Sequence, residues 1–167
     1  DLLTDQPADL YILELSSFQL ERTSQLIANV AAILNISADH MDRYSSLANY
    51  SEAKERVLYG PGIAVLNRHD KAVQNMILPT GRKAVSFGLD EATGNDYGLI
   101  TQDGKNYLTA AGEPVIASET LKLKGAHNIQ NALAAMAMAD SLGIARVAQQ
   151  QAMVSFTGLE HRTQWVA

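Results

Sequence analysis

Cysteine is missing altogether from this sequence, which excludes a disulfide framework, a thiolate metal site and a cysteine nucleophile. Its absence is in keeping with a reducing, cytoplasmic setting. No apolar run approaches the roughly 20 residues that a membrane-spanning helix needs, so no membrane insertion is expected. Lys and Arg form no basic stripe, and the formal net charge is −5; both weigh against general nucleic-acid binding. The opening Asp1-Leu2-Leu3-Thr4-Asp5 carries neither a basic leader nor an initiator Met, so the chain reads as starting partway through a fold. Repeats, low-complexity tracts and long linkers are lacking too. What remains is an ordinary globular balance over 167 residues, enough for one domain with a real core.

The apolar runs predict an α/β fold. Leu10-Tyr11-Ile12-Leu13-Glu14-Leu15 predicts a buried strand, followed by helical spacing over 18–26. A second strand is expected at 30–36, then a polar loop over 37–44. The 47–59 segment predicts a helix, stopped by Gly60-Pro61-Gly62. Strand 63–67, short helix 70–77 and strand 83–87 continue an alternation that argues for a mostly parallel sheet flanked by helices. Asp103-Gly104 between short apolar runs signals a hairpin, so 95–124 predicts an antiparallel extension of the sheet. A long helix at 128–142, another at 144–154 and a last strand at 162–166 complete the expectation.

Ligands of open α/β sheets bind beyond the carboxyl ends of the strands, which singles out Glu14, the 35–42 stretch and the 67–70 stretch. An ionised Glu14 within an apolar run requires a partner or a metal; equally, it is a strand-end glutamate facing water. The loop holding Asn35, Asp39, His40, Asp42 and Arg43 offers oxygen and imidazole ligands of the kind Mg²⁺ takes, although an Asp-His pair also caps helices. Lys54 falls on the apolar stripe of its helix with Leu47, Tyr50, Val57 and Leu58. Either its stem snorkels to water, or it is buried with a partner or with its chemistry altered. Asn128 and Asn131 share one face of the long helix's first turn, where amides suit a purine edge and also suit helix capping. Arg162 has the fork that grips phosphate, or is a plain surface arginine.

In this order the residues carry a resemblance. Glu14-Leu15-Ser16-Ser17-Phe18-Gln19-Leu20-Glu21, Leu34-Asn35-Ile36 leading to Asp39-His40-Met41-Asp42-Arg43-Tyr44, Tyr50 with Ala53-Lys54, Gly125-Ala126-His127-Asn128 with Asn131-Ala132, and 156–162 together resemble the Mur ligase family across nearly the whole chain. The resemblance implies a central, P-loop-NTPase-like ATP-binding domain. It implies an ATP-dependent ligase of cell-wall precursor synthesis that joins a carboxylate to an amine through an acyl phosphate. The Ser-Ser-Phe-Gln-Leu-Glu and Asp-His-Met-Asp-Arg-Tyr runs point to the family member that adds D-glutamate to UDP-N-acetylmuramoyl-L-alanine.

Residue by residue, the resemblance assigns Glu14 and His40 to two Mg²⁺ ions. Lys54 becomes a carbamate that binds metal, which would explain a lysine on an apolar face. Ser16 and Gln19 fall at positions that contact the UDP-sugar substrate, Asn128 and Asn131 at positions that hold adenine, and Arg162 at one that contacts the nucleotide. The family's phosphate-cradling G-x-x-G-K-[ST] loop has no counterpart in the sequence. The expectation is therefore a partial central domain, without the phosphate loop and without the N-terminal UDP-binding and C-terminal domains. Such a piece is expected to be inactive alone, and the intact enzyme to be a cytoplasmic monomer. The alternatives are a folylpolyglutamate synthetase-like ligase and a non-catalytic nucleotide-binding module.

Overall fold

The structure is a computed structural model, and it describes residues 8–159. Six strands form one sheet in the order of the chain: β1 (Val30–Ile33), β2 (Gly62–Asn67), β3 (Arg82–Phe87), β4 (Tyr97–Gln102), β5 (Lys105–Ala110) and β6 (Glu113–Ala117). β1 to β4 pair in parallel, and β4, β5 and β6 antiparallel. The expected mixed architecture is thus the observed one. The β4–β5 turn is made by Asp103 and Gly104, at φ of 50° and 74°, the left-handed pair of a tight two-residue hairpin.

Helices cover both faces. Because side chains alternate along a strand, Ala64 and Val65 of β2 point to opposite layers. On one side Ala31, Ile33 and Ala64 pack against Tyr50 and Ala53 of α2 (Leu47–Glu55), Leu58 of the 3₁₀ turn Arg56–Leu58, and Val73 of α3 (Lys71–Gln74). On the other, Leu133, Met136 and Ala137 of α4 (Ala126–Ser141) pack against Val65, Phe87, Tyr97, Leu108 and Ile116. Phe87, Leu108 and Leu133 are fully buried, each worth roughly 1.5–3 kcal/mol over an exposed side chain. α5 (Arg146–Ser155) lies against α4.

β3 and β4 are joined in register at one pair, Phe87 and Tyr97. The loop between them folds back, so that the Asp90 carbonyl accepts from Leu99 N at 2.9 Å. A Cβ on Gly98 would lie 2.3 Å from that carbonyl oxygen, so only glycine allows the loop to close there.

Two expectations need correction. The 10–15 run is not a strand: it is irregular, with Ile12 81% and Leu13 54% exposed. A run apolar on both sides needs a paired neighbour and cover on each face, and among the described residues no strand pairs with it. The first helix, α1 (Ser17–Glu21), ends five residues short of the expected 26; Arg22 caps it with N–H bonds to the Gln19 and Leu20 carbonyls. The 162–166 strand, with Arg162, lies outside the described residues.

Candidate functional site

The carboxyl ends of β1 and β2 meet at one rim, and two polar side chains stitch them together. Asn67, buried at the end of β2, donates from Nδ2 to the Leu34 carbonyl at 2.8 Å and accepts from His69 N at 2.9 Å. Asp70 accepts from Ile36 N at 2.8 Å through one oxygen, and through the other caps α3 at Ala72 N and Val73 N. The loop leading to His40 is therefore tied at two points, to the end of β2 and to the cap of α3.

His40 opens the turn that follows. Its φ is 54°, a left-handed conformation that costs a non-glycine residue about 1–2 kcal/mol. Asp39 Oδ1 accepts from His40 N at 2.8 Å, and the His40 carbonyl accepts from Arg43 N and Tyr44 N. The imidazole packs on Phe18 of α1, with ring centroids 4.9 Å apart. Tyr44 stacks on the same ring at 6.1 Å and meets Tyr50 of α2 edge-on at 5.2 Å. Arg43 lies over Phe18 at 4.6 Å and donates to Glu21 at 2.6 Å. That hydrogen bond holds the Glu21 carboxyl below its usual 4.5.

Lys54 is half-buried on α2, with Nζ 5.8 Å from the Tyr50 ring centroid. It flanks the buried stripe of Tyr50 and Ala53; Leu47, expected in that stripe, is 40% exposed. Among the described residues no ion pair engages Lys54. Ser16 and Gln19 are committed to each other in a capping box: Ser16 Oγ accepts from Gln19 N at 3.3 Å, and Gln19 Oε1 accepts from Ser16 N at 2.9 Å. Glu14 is exposed on the irregular segment before α1, not at a strand end.

The structure thus brings His40 and Lys54 onto adjoining elements, linked by the rings of Phe18, Tyr44 and Tyr50; no hydrogen bond or ion pair among the described residues joins Glu14 to either. Carboxylate, imidazole and a lysine made carboxylate-like by carbamylation have the chemistry Mg²⁺ takes. With Lys54 as an amine the set is incomplete, since no three His, Asp or Glu side chains among the described residues are grouped to hold a metal ion.

A second locus lies at the start of α4. Asn128 and Asn131 line a cavity of about 490 Å³ whose other walls include Leu121, Leu123, Met153 and Phe156. A mostly apolar cleft with a few polar groups is the usual form of a small-molecule site. Asn128 is not the helix cap, a position Gly125 takes without a side-chain hydrogen bond; its amide donates instead to the Lys124 carbonyl at 2.8 Å.

Sequence reasoning missed the Lys124 ammonium, which ties the segment before α4 by donating to the Glu119 and Leu121 carbonyls. It also missed Asp140, which accepts from Tyr97 Oη at 2.8 Å, Arg146 at 2.7 Å and Gln149 at 2.6 Å. Burial, then the Asp140 carboxylate, push the Tyr97 phenol well above its usual 10. A signal was present: Asp140 continues the Leu133, Met136, Ala137 stripe at helical spacing, where a carboxylate demands partners.

A doubly covered mixed sheet, with polar clusters at the carboxyl rim of its parallel half, matches a defined class: residues 1–139 match the model of the Mur ligase middle domain, and the chain belongs to that family. MurF of Acinetobacter baumannii shares the fold at a TM-score of 0.60 over 78% of this chain and 29% of that one, with 23% identity. Within the family the chain is similar to the UDP-N-acetylmuramoylalanine--D-glutamate ligase of Methylococcus capsulatus, 51% identical over 99% of the chain, and to that of Pseudomonas savastanoi pv. phaseolicola, 45% identical over 99%. It spans 36% and 37% of their respective lengths.

Proposed function

We propose that the chain is the nucleotide-handling part of a longer, cytoplasmic ligase that uses ATP to join D-glutamate to UDP-N-acetylmuramoyl-L-alanine. The 51% identity across 99% of the chain to a ligase of that name carries the reading. In this reading the substrate carboxylate attacks the γ-phosphate of ATP, giving an acyl phosphate and ADP. The amine of D-glutamate then adds to the acyl carbon, the tetrahedral intermediate expels phosphate, and an amide remains. Both steps depend on positioning and on neutralising phosphate charge.

The chain's own residues divide this work. Asn128 and Asn131 hold adenine in the apolar cavity at the start of α4, and Arg162 meets the nucleotide. Ser16 and Gln19 contact the UDP-sugar. Glu14, His40 and carbamylated Lys54 hold two Mg²⁺ ions, which when bound offset the charge of the reacting phosphates. The phosphate cradle and the D-glutamate site belong to segments outside this sequence, and the whole ligase acts as a monomer.

The test is ADP release by the full-length protein carrying this chain, with UDP-N-acetylmuramoyl-L-alanine, D-glutamate and Mg²⁺. Turnover that requires all of these is the expected result, and turnover indifferent to D-glutamate would sink the reading. Lys54→Ala should cut kcat by orders of magnitude, with partial recovery on adding a short-chain carboxylic acid. Full activity in that variant would remove the carbamate from the scheme. The 167 residues alone should show no ATP-dependent turnover.

A further inference from the structure

We propose that Phe18 is a positioning residue for the His40 imidazole, locking α1 and the His40 turn into one unit; the consequence for Mg²⁺ rests on the reading of His40 as a metal ligand. The case begins with what does not hold the imidazole. A histidine that binds metal is usually oriented by donating its other ring N–H to a neighbour. Here the nearest acceptor, Asp39 Oδ2, is 3.4 Å from Nε2, too long for a well-made hydrogen bond. Among the described residues no hydrogen bond reaches the ring. Its backbone is left-handed, with φ of 54°, a conformation that persists only where the surroundings impose it.

Beside the hydrogen bonds that the turn makes within itself, the surroundings converge on one side chain. Three residues of the turn meet the Phe18 ring: His40 at 4.9 Å and tilted 58°, Arg43 over it at 4.6 Å, and Tyr44 near-parallel at 6.1 Å. Tilted and stacked ring pairs are each worth roughly 0.5–1.5 kcal/mol beyond their buried area, enough to offset the backbone cost. Phe18 is itself fixed, since Ser16 and Gln19 close a capping box around the start of its helix. Those two are the residues assigned to the UDP-sugar. A shift of α1 on that substrate would therefore carry the imidazole with it.

Two substitutions test this. Phe18→Leu keeps an apolar side chain but has no ring, and Phe18→Tyr keeps the ring. In the chain itself, NMR of the His40 imidazole protons should show a ring-current displacement in the wild type and in Phe18→Tyr. It should be lost in Phe18→Leu at temperatures where circular dichroism shows that variant folded. If Leu lowers the melting temperature too far, Phe18→Met replaces it. In the full-length protein, Phe18→Leu should raise the Mg²⁺ concentration for half-maximal rate about tenfold, the lower end expected for groups that orient a metal ligand. Its kcat at saturating Mg²⁺ should be retained, and Phe18→Tyr should behave as wild type.

Unmoved His40 resonances and an unchanged Mg²⁺ requirement in Phe18→Leu would overturn the proposal. So would equal losses in the Leu and Tyr variants that merely track their melting temperatures. If the resonances move as expected while the full-length protein forms no amide, the positioning stands and the ligase reading fails.

Discussion

Arg82 is a buried arginine for which the described residues supply no carboxylate. Its guanidinium instead donates to five carbonyls, those of Ala28, Tyr59, Gly60, Pro61 and Ile63, at 2.9–3.1 Å. They cluster where β1, β2 and β3 begin, at the end of the sheet opposite His40. Burial pulls its pKa below the usual arginine value, yet the carbonyl oxygens satisfy its fork. Arg82→Met should cost about 3 kcal/mol in urea unfolding, because it leaves several carbonyls unpaired; a loss under about 1 kcal/mol would mean water replaces the arginine. Glu21 makes a pH prediction. Its carboxyl is held below 4.5 in the folded chain by the Arg43 hydrogen bond, so its stabilisation is complete above the unfolded value and lost as pH falls through the folded one. Melting curves should show the wild type losing its advantage over Glu21→Gln below about pH 4.5, with the gap constant near neutrality.

At the scale of elements, Asp140 decides where α5 lies. It receives hydrogen bonds from β4 and from two residues of α5, and α5 supplies Met153 as a wall of the Asn128–Asn131 cavity, with Phe156 just beyond its end. Asp140→Ala leaves the buried Tyr97 hydroxyl without its acceptor and the Gln149 amide with the Ile144 carbonyl alone, and should cost about 2–3 kcal/mol. Backbone amides of 146–155 should exchange faster while those of β2 and β3 stay protected, and adenine nucleotides should bind the full-length protein more weakly. Uniform loss of protection would instead mark α5 as part of the global folding unit. Tyr97→Phe, which removes one donor and leaves Asp140 two partners, should cost about 1 kcal/mol.

Over the whole molecule, one apolar strip stands out: Leu10, Tyr11, Ile12 and Leu13 are 43–81% exposed and contiguous in sequence, and Ile27 is 62% exposed. An exposed patch of this kind favours association. The isolated 167-residue chain should therefore sediment partly as dimers or larger species at high concentration, and Ile12→Glu with Leu13→Lys should shift it toward monomer. A single monomeric boundary for the unchanged chain would show the strip to be harmless.

Local signals carried most of the architecture. The apolar runs at 63–67 and 83–87, the Asp103-Gly104 turn and the 3.6-residue stripe of α4 each identify their element, because hydrophobic period and turn chemistry are properties of neighbouring residues. The same reasoning failed at 10–15, where composition suits a buried strand but pairing depends on a neighbour the run cannot specify. For the site, sequence order marked His40, Lys54, Asn128 and Asn131, since residue type alone makes them unusual where they stand. It could not reveal that Phe18, Tyr44 and Tyr50 bridge two of them, that Asn67 and Asp70 moor the His40 loop, or that Asp140 fixes a cavity wall. The hydrogen bonds among these contacts join residues 6 to 43 apart, and most of them exist only once the chain has closed. The sequence by itself determined most of the strands and helices and which side chains are chemically suited to metal and nucleotide. Only the tertiary structure decided which of them meet, because distance and orientation between remote residues are set by packing and not by local preference.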